Sequence, residues 1–80
     1  MTARCKVYGS RPNSGPTSDE AYAGIAAIGR RHRSWDMSVD TCTPDATVFK
    51  AWGPTADELE KALKSQFPRH RTSTNVPQAD

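Results

Sequence analysis

Arg30-Arg31-His32-Arg33 and Arg69-His70-Arg71 gather five arginines and two histidines into two short runs that contain no acid. A guanidinium is planar, always charged and able to donate two parallel hydrogen bonds, so such runs suit phosphate recognition. Flanking arginines disfavour protonation of His32 and His70 through like charge, and a bound polyanion would reverse that effect. Nucleic acid is the commonest such partner. Lys64 would extend the basic set, and Arg4, Lys6 and Lys50 would carry it onto a sheet face, where Tyr8 or Trp52 offers a stacking platform for a single-stranded ligand. The competing explanation is local: cations near a helix C-terminus gain about 0.3–1 kcal/mol each from the dipole, and charge runs are commonly solvated surface.

Other chemistries have less support. Cys5, His32, Cys42 and His70 are metal-ligand types, but none sits at the short paired spacings of structural zinc sites, so neither a metal nor a cofactor is expected. A cysteine with a histidine and an acid can make a nucleophile, yet both cysteines fall in strand-like patterns with no sign of activation. The expectation is a non-enzymatic binding protein that contacts nucleic acid or another polyanion. The alternative is a small protein-protein inhibitor or adaptor, of the kind a phage or mobile element encodes, acting on a host protein. Its support is the small-residue patch Ala23, Gly24 and Ala27 together with Trp52.

The chain has 80 residues, with eleven Lys plus Arg against nine Asp plus Glu, so any strong field must come from local clustering. Ten apolar residues are Ala, which leaves a thin core and favours a partner or a homodimer. The sequence shows no basic-then-apolar leader and no apolar run near the length of a membrane span; a cytoplasmic protein without membrane contact is expected. In that setting Cys5 and Cys42 are expected reduced and buried, a disulfide between them requiring their strands to lie close together.

The elements that position these residues are legible from periodicity. "ARCKVY" (3–8) alternates as a half-buried strand, and "GSRPNSGP" is a loop by composition. Thr17 and Glu20 fit a capping box opening a helix from Ser18 to His32, with an apolar set of Tyr22, Ile25, Ala26, Ile28 and Gly29. Gly24 and Gly29 suggest close approach of a neighbouring element. "SWDMSVDTC" (34–42) alternates with Trp35, Met37 and Val39 on one face, "TPDA" (43–46) reads as a turn, and "ATVFKAW" (46–52) returns antiparallel. A three-residue loop would oppose Val39 with Phe49 and Met37 with Ala51, leaving Lys50 and Trp52 outward beside Asp36 and Ser38; a two- or four-residue loop would invert the faces. A second box, Thr55 with Glu58, opens a helix that buries Leu59, Ala62, Leu63 and Phe67 and ends at Pro68.

The expected fold is therefore α+β, ordered β-α-β-β-α: a three-stranded, mostly antiparallel sheet with two helices on one face. Residues 1–68 would form the single domain and 69–80 a disordered basic and polar tail. "GPTSDE" (15–20) and "GPTADE" (53–58) differ at one position, and sixteen residues after each Gly both stretches reach Arg-His-Arg. The shift does not extend into matching strand patterns, which suggests a repeated helix and not a tandem domain.

Two partial resemblances follow. "KVYGSRPNSG" (6–15), a strand entering a Gly-containing loop before a helix, is similar to the first βα unit of nucleotide-binding Rossmann-like domains but lacks their G-x-G-x-x-G. The strand-strand-helix end resembles the latter part of a double-stranded RNA-binding domain, except that Asp57 and Glu58 stand where that family places lysines. No functional residues carry over from either.

Overall fold

Ala3, Cys5 and Val7 alternate with Arg4, Lys6 and Tyr8 along β1 (Thr2–Tyr8), and only the first set is buried. That alternation lets a strand serve a core on one side and solvent on the other. The computed structural model describes residues 2–74. After β1 come α1 (Ser18–Arg31), β2 (Asp36–Cys42), β3 (Ala46–Trp52), α2 (Ala56–Gln66) and β4 (Arg71–Ser73). The sheet order is β2-β3-β1-β4, and every neighbouring pair is antiparallel.

The sheet thus has four strands where the sequence predicts three. Arg71–Ser73 lies inside the expected tail, yet pairs with Lys6–Tyr8 of β1. Three residues without apolar alternation give no periodic signal. The remainder of the expected tail, 75–80, lies outside the described residues.

This connectivity interleaves two split β-α-β halves, β1-α1-β2 and β3-α2-β4, the arrangement called ferredoxin-like. The near-duplicate stretches occupy equivalent positions in the two halves. The repeated connectivity is hidden in the sequence because residues 9–17 join β1 to α1, whereas 53–55 suffice between β3 and α2.

Both helices start as expected. Thr17 Oγ1 accepts from Glu20 N at 3.1 Å while Thr17 N donates to Glu20 Oε1 at 3.0 Å; Thr55 and Glu58 repeat this at 3.2 and 2.9 Å. Pro16 and Pro54, just outside the caps, are buried, as are Ala21 and Leu59 at the fourth helical positions, the two sites of a hydrophobic staple.

The buried stripe of α1 is Ala21, Gly24 and Ile28, with Ile25 packed against the core; Ile25 and Ile28 face inward as expected, but the stripe is rotated from the expected one, Tyr22 being 60% exposed and Ala26 exposed. Gly24 explains the rotation. A Cβ there would stand 2.6 Å from Phe67 Cζ, so the missing side chain admits the Phe67 ring, which in turn lies 5.7 Å from Phe49. Gly29 has nothing within 4 Å of a built Cβ and makes no such approach. Leu59, Leu63 and Phe67 of the second half are buried as expected, closing the core over Cys5, Val7, Phe49 and Ala51.

The hairpin reaches the expected register by a different route. Val39 opposes Phe49 and Met37 opposes Ala51, but near the turn Cys42 opposes Thr47 and Thr43 N donates to Ala46 O at 2.8 Å. Pro44-Asp45 is thus a two-residue turn, which alone would bring Lys50 to the helix side. A bulge between Val39 and Thr41 adds one residue to β2 and restores the faces.

Two outcomes follow. Gly29→Ala should stabilise the protein by about 0.5–1 kcal/mol through helix propensity, whereas Gly24→Ala should lower the urea midpoint because the Phe67 ring must move. The capping carboxyls of Glu20 and Glu58 are held below the ordinary range of about 4.5, chiefly by the backbone N–H of Thr17 and Thr55 and then by their hydroxyls. A depressed carboxyl stabilises the fold above its unfolded value and loses that contribution as pH falls through its folded value. Stability should therefore drop below about pH 4.5, and Glu20→Gln with Glu58→Gln should flatten that acid slope in pH-dependent urea titrations.

Candidate nucleic-acid interface

The helices cover one face of the sheet; the other is open. On it the register sets three rows across the central strands: Thr2 opposite Trp52, Arg4 opposite Lys50, and Lys6 opposite Val48. β2 adds Asp36 beside Trp52 and Ser38 beside Lys50, and β4 adds Arg71 beside Tyr8. β1 and β3 contain no acid along their whole length. All five residues expected on this face, Arg4, Lys6, Tyr8, Lys50 and Trp52, do lie on the outward side of the central strands.

Arg4 and Lys50 are the central feature. Like charges directly opposed on neighbouring strands are unfavourable. One compensation is present: Arg4 Nε lies 3.7 Å from Asp40 Oδ2, the carboxylate of the bulged residue reaching over the face. Lys50 has no ion pair among the described residues. Both cations line a shallow concavity of about 530 Å³, together with Asp36, Ser38 and Trp52.

The two aromatics differ. Lys6 Nζ sits 5.4 Å from the centroid of the Tyr8 ring, a cation-π contact that covers one ring face. Trp52 is 60% exposed at the other end of the sheet, about 20 Å away along six residues of strand.

The two Arg-His-Arg runs do not converge into one patch. β1 and β2 point the same way and β3 and β4 the opposite way, so α1 and α2 run antiparallel and their C-termini lie at opposite ends of the molecule. Each run adjoins the first turn of the other helix. His70 adds a small lowering to Glu20, and His32 does so to Glu58. The histidine of each run therefore lies near a first-turn carboxylate of the other helix.

His32 caps α1 and stacks on Trp35 at 3.8 Å between ring centroids, while Arg30, Arg31 and Arg33 are exposed. In the second run Arg69 is exposed, His70 sets its ring edge-on to Phe67, and Arg71 is carried into β4 and onto the open face. Lys64 is in the last turn of α2, 3.8 Å from Glu60. Sequence reasoning placed Arg71 with the helix-end cluster; its place beside Tyr8 depends on a strand too short to read. Asp36 and Asp40, the acidic rim on β2, were legible as outward residues of an alternating strand but were not assigned a role.

Among the described residues no group of three or more His, Cys, Asp or Glu side chains is placed to hold a metal ion. No helix among them is long and apolar enough to cross a membrane. Both cysteines are free, but they differ in exposure: Cys5 is buried as expected and Cys42, at the end of edge strand β2, is exposed. Burial, with Glu60 and Asp57 nearby, pushes the Cys5 thiol up to about 11, and its Sγ lies 3.7 Å from Ala56 O.

Under native conditions at neutral pH, a maleimide should label Cys42 alone, Cys5 reacting only after denaturation; rapid labelling of both in mass spectra would contradict the packing of β1.

No protein-family model, curated protein or solved structure matches this chain, so what the open face can bind rests on its own residues.

Proposed function

We propose that the protein is a non-enzymatic nucleic-acid-binding module whose contact surface is the open sheet face. The observation that carries this reading is the cross-strand pair Arg4 and Lys50, two cations side by side on acid-free central strands, lining a concavity that also holds an exposed indole. A phosphate between them would turn a repulsive pair into two charge-assisted contacts. Lys6 and Arg71 continue the positive track toward Tyr8. Four-stranded α+β sheets that bind RNA use the same elements, with bases stacked on aromatics of the exposed face; here that is an analogy of architecture.

Arg30, Arg31, Arg33 and Arg69, with His32 and His70, act in this reading as flanks. They lie at the two ends of the helix layer and raise the local potential for an approaching polyanion, while the register-fixed sheet cations make the contacts. A second reading, a small inhibitor or adaptor anchored on a partner protein, draws on the exposure of Trp52. It predicts capture that depends on Trp52 and is indifferent to salt.

Fluorescence anisotropy with a mixed-sequence single-stranded oligonucleotide separates these. Binding should weaken steeply with salt, and replacing Arg4 and Lys50 by Gln should reduce the slope of log affinity against log salt by about 1.4, the value for two lost phosphate contacts on a single strand. Arg30→Ala with Arg31→Ala and Arg33→Ala should lower affinity by a smaller factor. Absence of binding at low salt would end the proposal. Loss confined to the triple variant would move the interface to the helix ends.

A further inference from the structure

Asp36 is the direct cross-strand partner of Trp52, which places their Cβ atoms about 4.5–5.5 Å apart on the open face. It is exposed, lines the same concavity as Trp52, Lys50 and Arg4, and its carboxylate has no hydrogen-bond or ion-pair partner among the described residues. The other acid on this strand that reaches over the face, Asp40, is engaged with Arg4. An unengaged carboxylate in a cationic concavity is a poor choice for a surface that reads phosphate alone, because it repels the backbone it is meant to hold.

Its position suits the edge of a base. A nucleobase stacked on the Trp52 ring would have its phosphates toward Arg4 and Lys50 and its rim toward β2, where Asp36 and the Ser38 hydroxyl stand. A carboxylate accepts hydrogen bonds and cannot donate them. Cytosine, adenine and guanine carry an exocyclic amine that donates, whereas thymine and uracil present carbonyls in its place and their lone N3–H donor stands between two carbonyl oxygens that repel a carboxylate. We infer that the Trp52 concavity takes one unpaired base from single-stranded nucleic acid, and that Asp36 selects bases bearing an exocyclic amine over thymine and uracil.

This rests on the sheet-face reading above and adds two features to it. The ligand must be single-stranded, because a base inside a duplex cannot reach an indole on a flat sheet. Discrimination must also reside in a residue that contributes nothing to the electrostatic attraction. Trp52 supplies sequence-tolerant stacking, and Asp36 supplies the choice.

The decisive comparison is oligodeoxycytidine against oligothymidine of about twelve nucleotides, two pyrimidine strands of equal charge, with binding followed by anisotropy at low salt. The wild-type protein should prefer oligodeoxycytidine about three- to tenfold, the range of one ordinary net hydrogen bond at an exposed site. Asp36→Asn, which can donate as well as accept, should bring that ratio close to one while leaving binding to oligothymidine equal or tighter. Trp52→Ala should weaken both strands, and Trp52→Phe should restore much of the loss. Circular dichroism of each variant checks that these exposed positions leave the fold intact.

A wild-type ratio near one, with both strands bound and both sensitive to Lys50→Gln, would overturn the role of Asp36 and leave the sheet-face reading standing. A ratio that persists unchanged in Asp36→Asn would also overturn it. A duplex bound as tightly as either single strand would overturn the unpaired-base requirement. Binding to neither strand at low salt would remove the sheet-face reading itself.

Discussion

The whole arrangement depends on how closely two helices can lie over one face of a small sheet. The core is assembled from Ala, Cys, Val, a few larger aliphatics and two phenylalanines, and it has no material to spare for filling a gap between layers. Gly24 resolves this by letting the Phe67 ring press against the α1 backbone while the same ring meets Phe49 of the sheet. One aromatic therefore joins α1, the end of α2 and β3. With the helices drawn together on that side, nothing remains in the described chain to cover the other, and the outward residues of β1 and β3 face solvent.

The charge distribution follows the layers. Helix starts attract acids because the first backbone N–H groups and the dipole favour them, and Asp19, Glu20, Asp57 and Glu58 occupy those positions. The helix layer thereby collects negative charge at each of its ends, next to the Arg-His-Arg run that leaves the opposite helix. The central strands receive no acid, and of their cations only Arg4 has an ion pair among the described residues, with Asp40 of β2. Net charge, at +2, conceals this division.

Most of the local structure was legible in the sequence because it is governed by short-range rules. The capping boxes and the alternation of β1, β3 and β2 come from neighbours a few residues apart; Lys50 and Trp52 face outward as expected, although a two-residue turn with a bulge takes the place of the expected three-residue loop. Three features were not legible. The stripe of α1 was set by a glycine whose value lies in what it admits, so counting apolar side chains pointed to Tyr22 in place of Ala21. The twofold occurrence of the β-α-β connectivity was masked by unequal loops. β4 exists because β1 offers it a ladder, and a three-residue strand carries no period of its own. Arg71 changed surfaces as a consequence, and the candidate site shifted from two helix ends toward one sheet face.

The bulge at Asp40 does more than correct the hairpin. β2 is one of the two outer strands of the sheet, and a long regular outer strand is a template on which another chain can extend the ladder. An inserted residue interrupts the even spacing of backbone donors and acceptors and twists the strand, and the carboxylates of Asp36 and Asp40 add charge along the same border. The feature that keeps Lys50 facing outward also makes β2 a poorer template for edge-to-edge pairing with another chain.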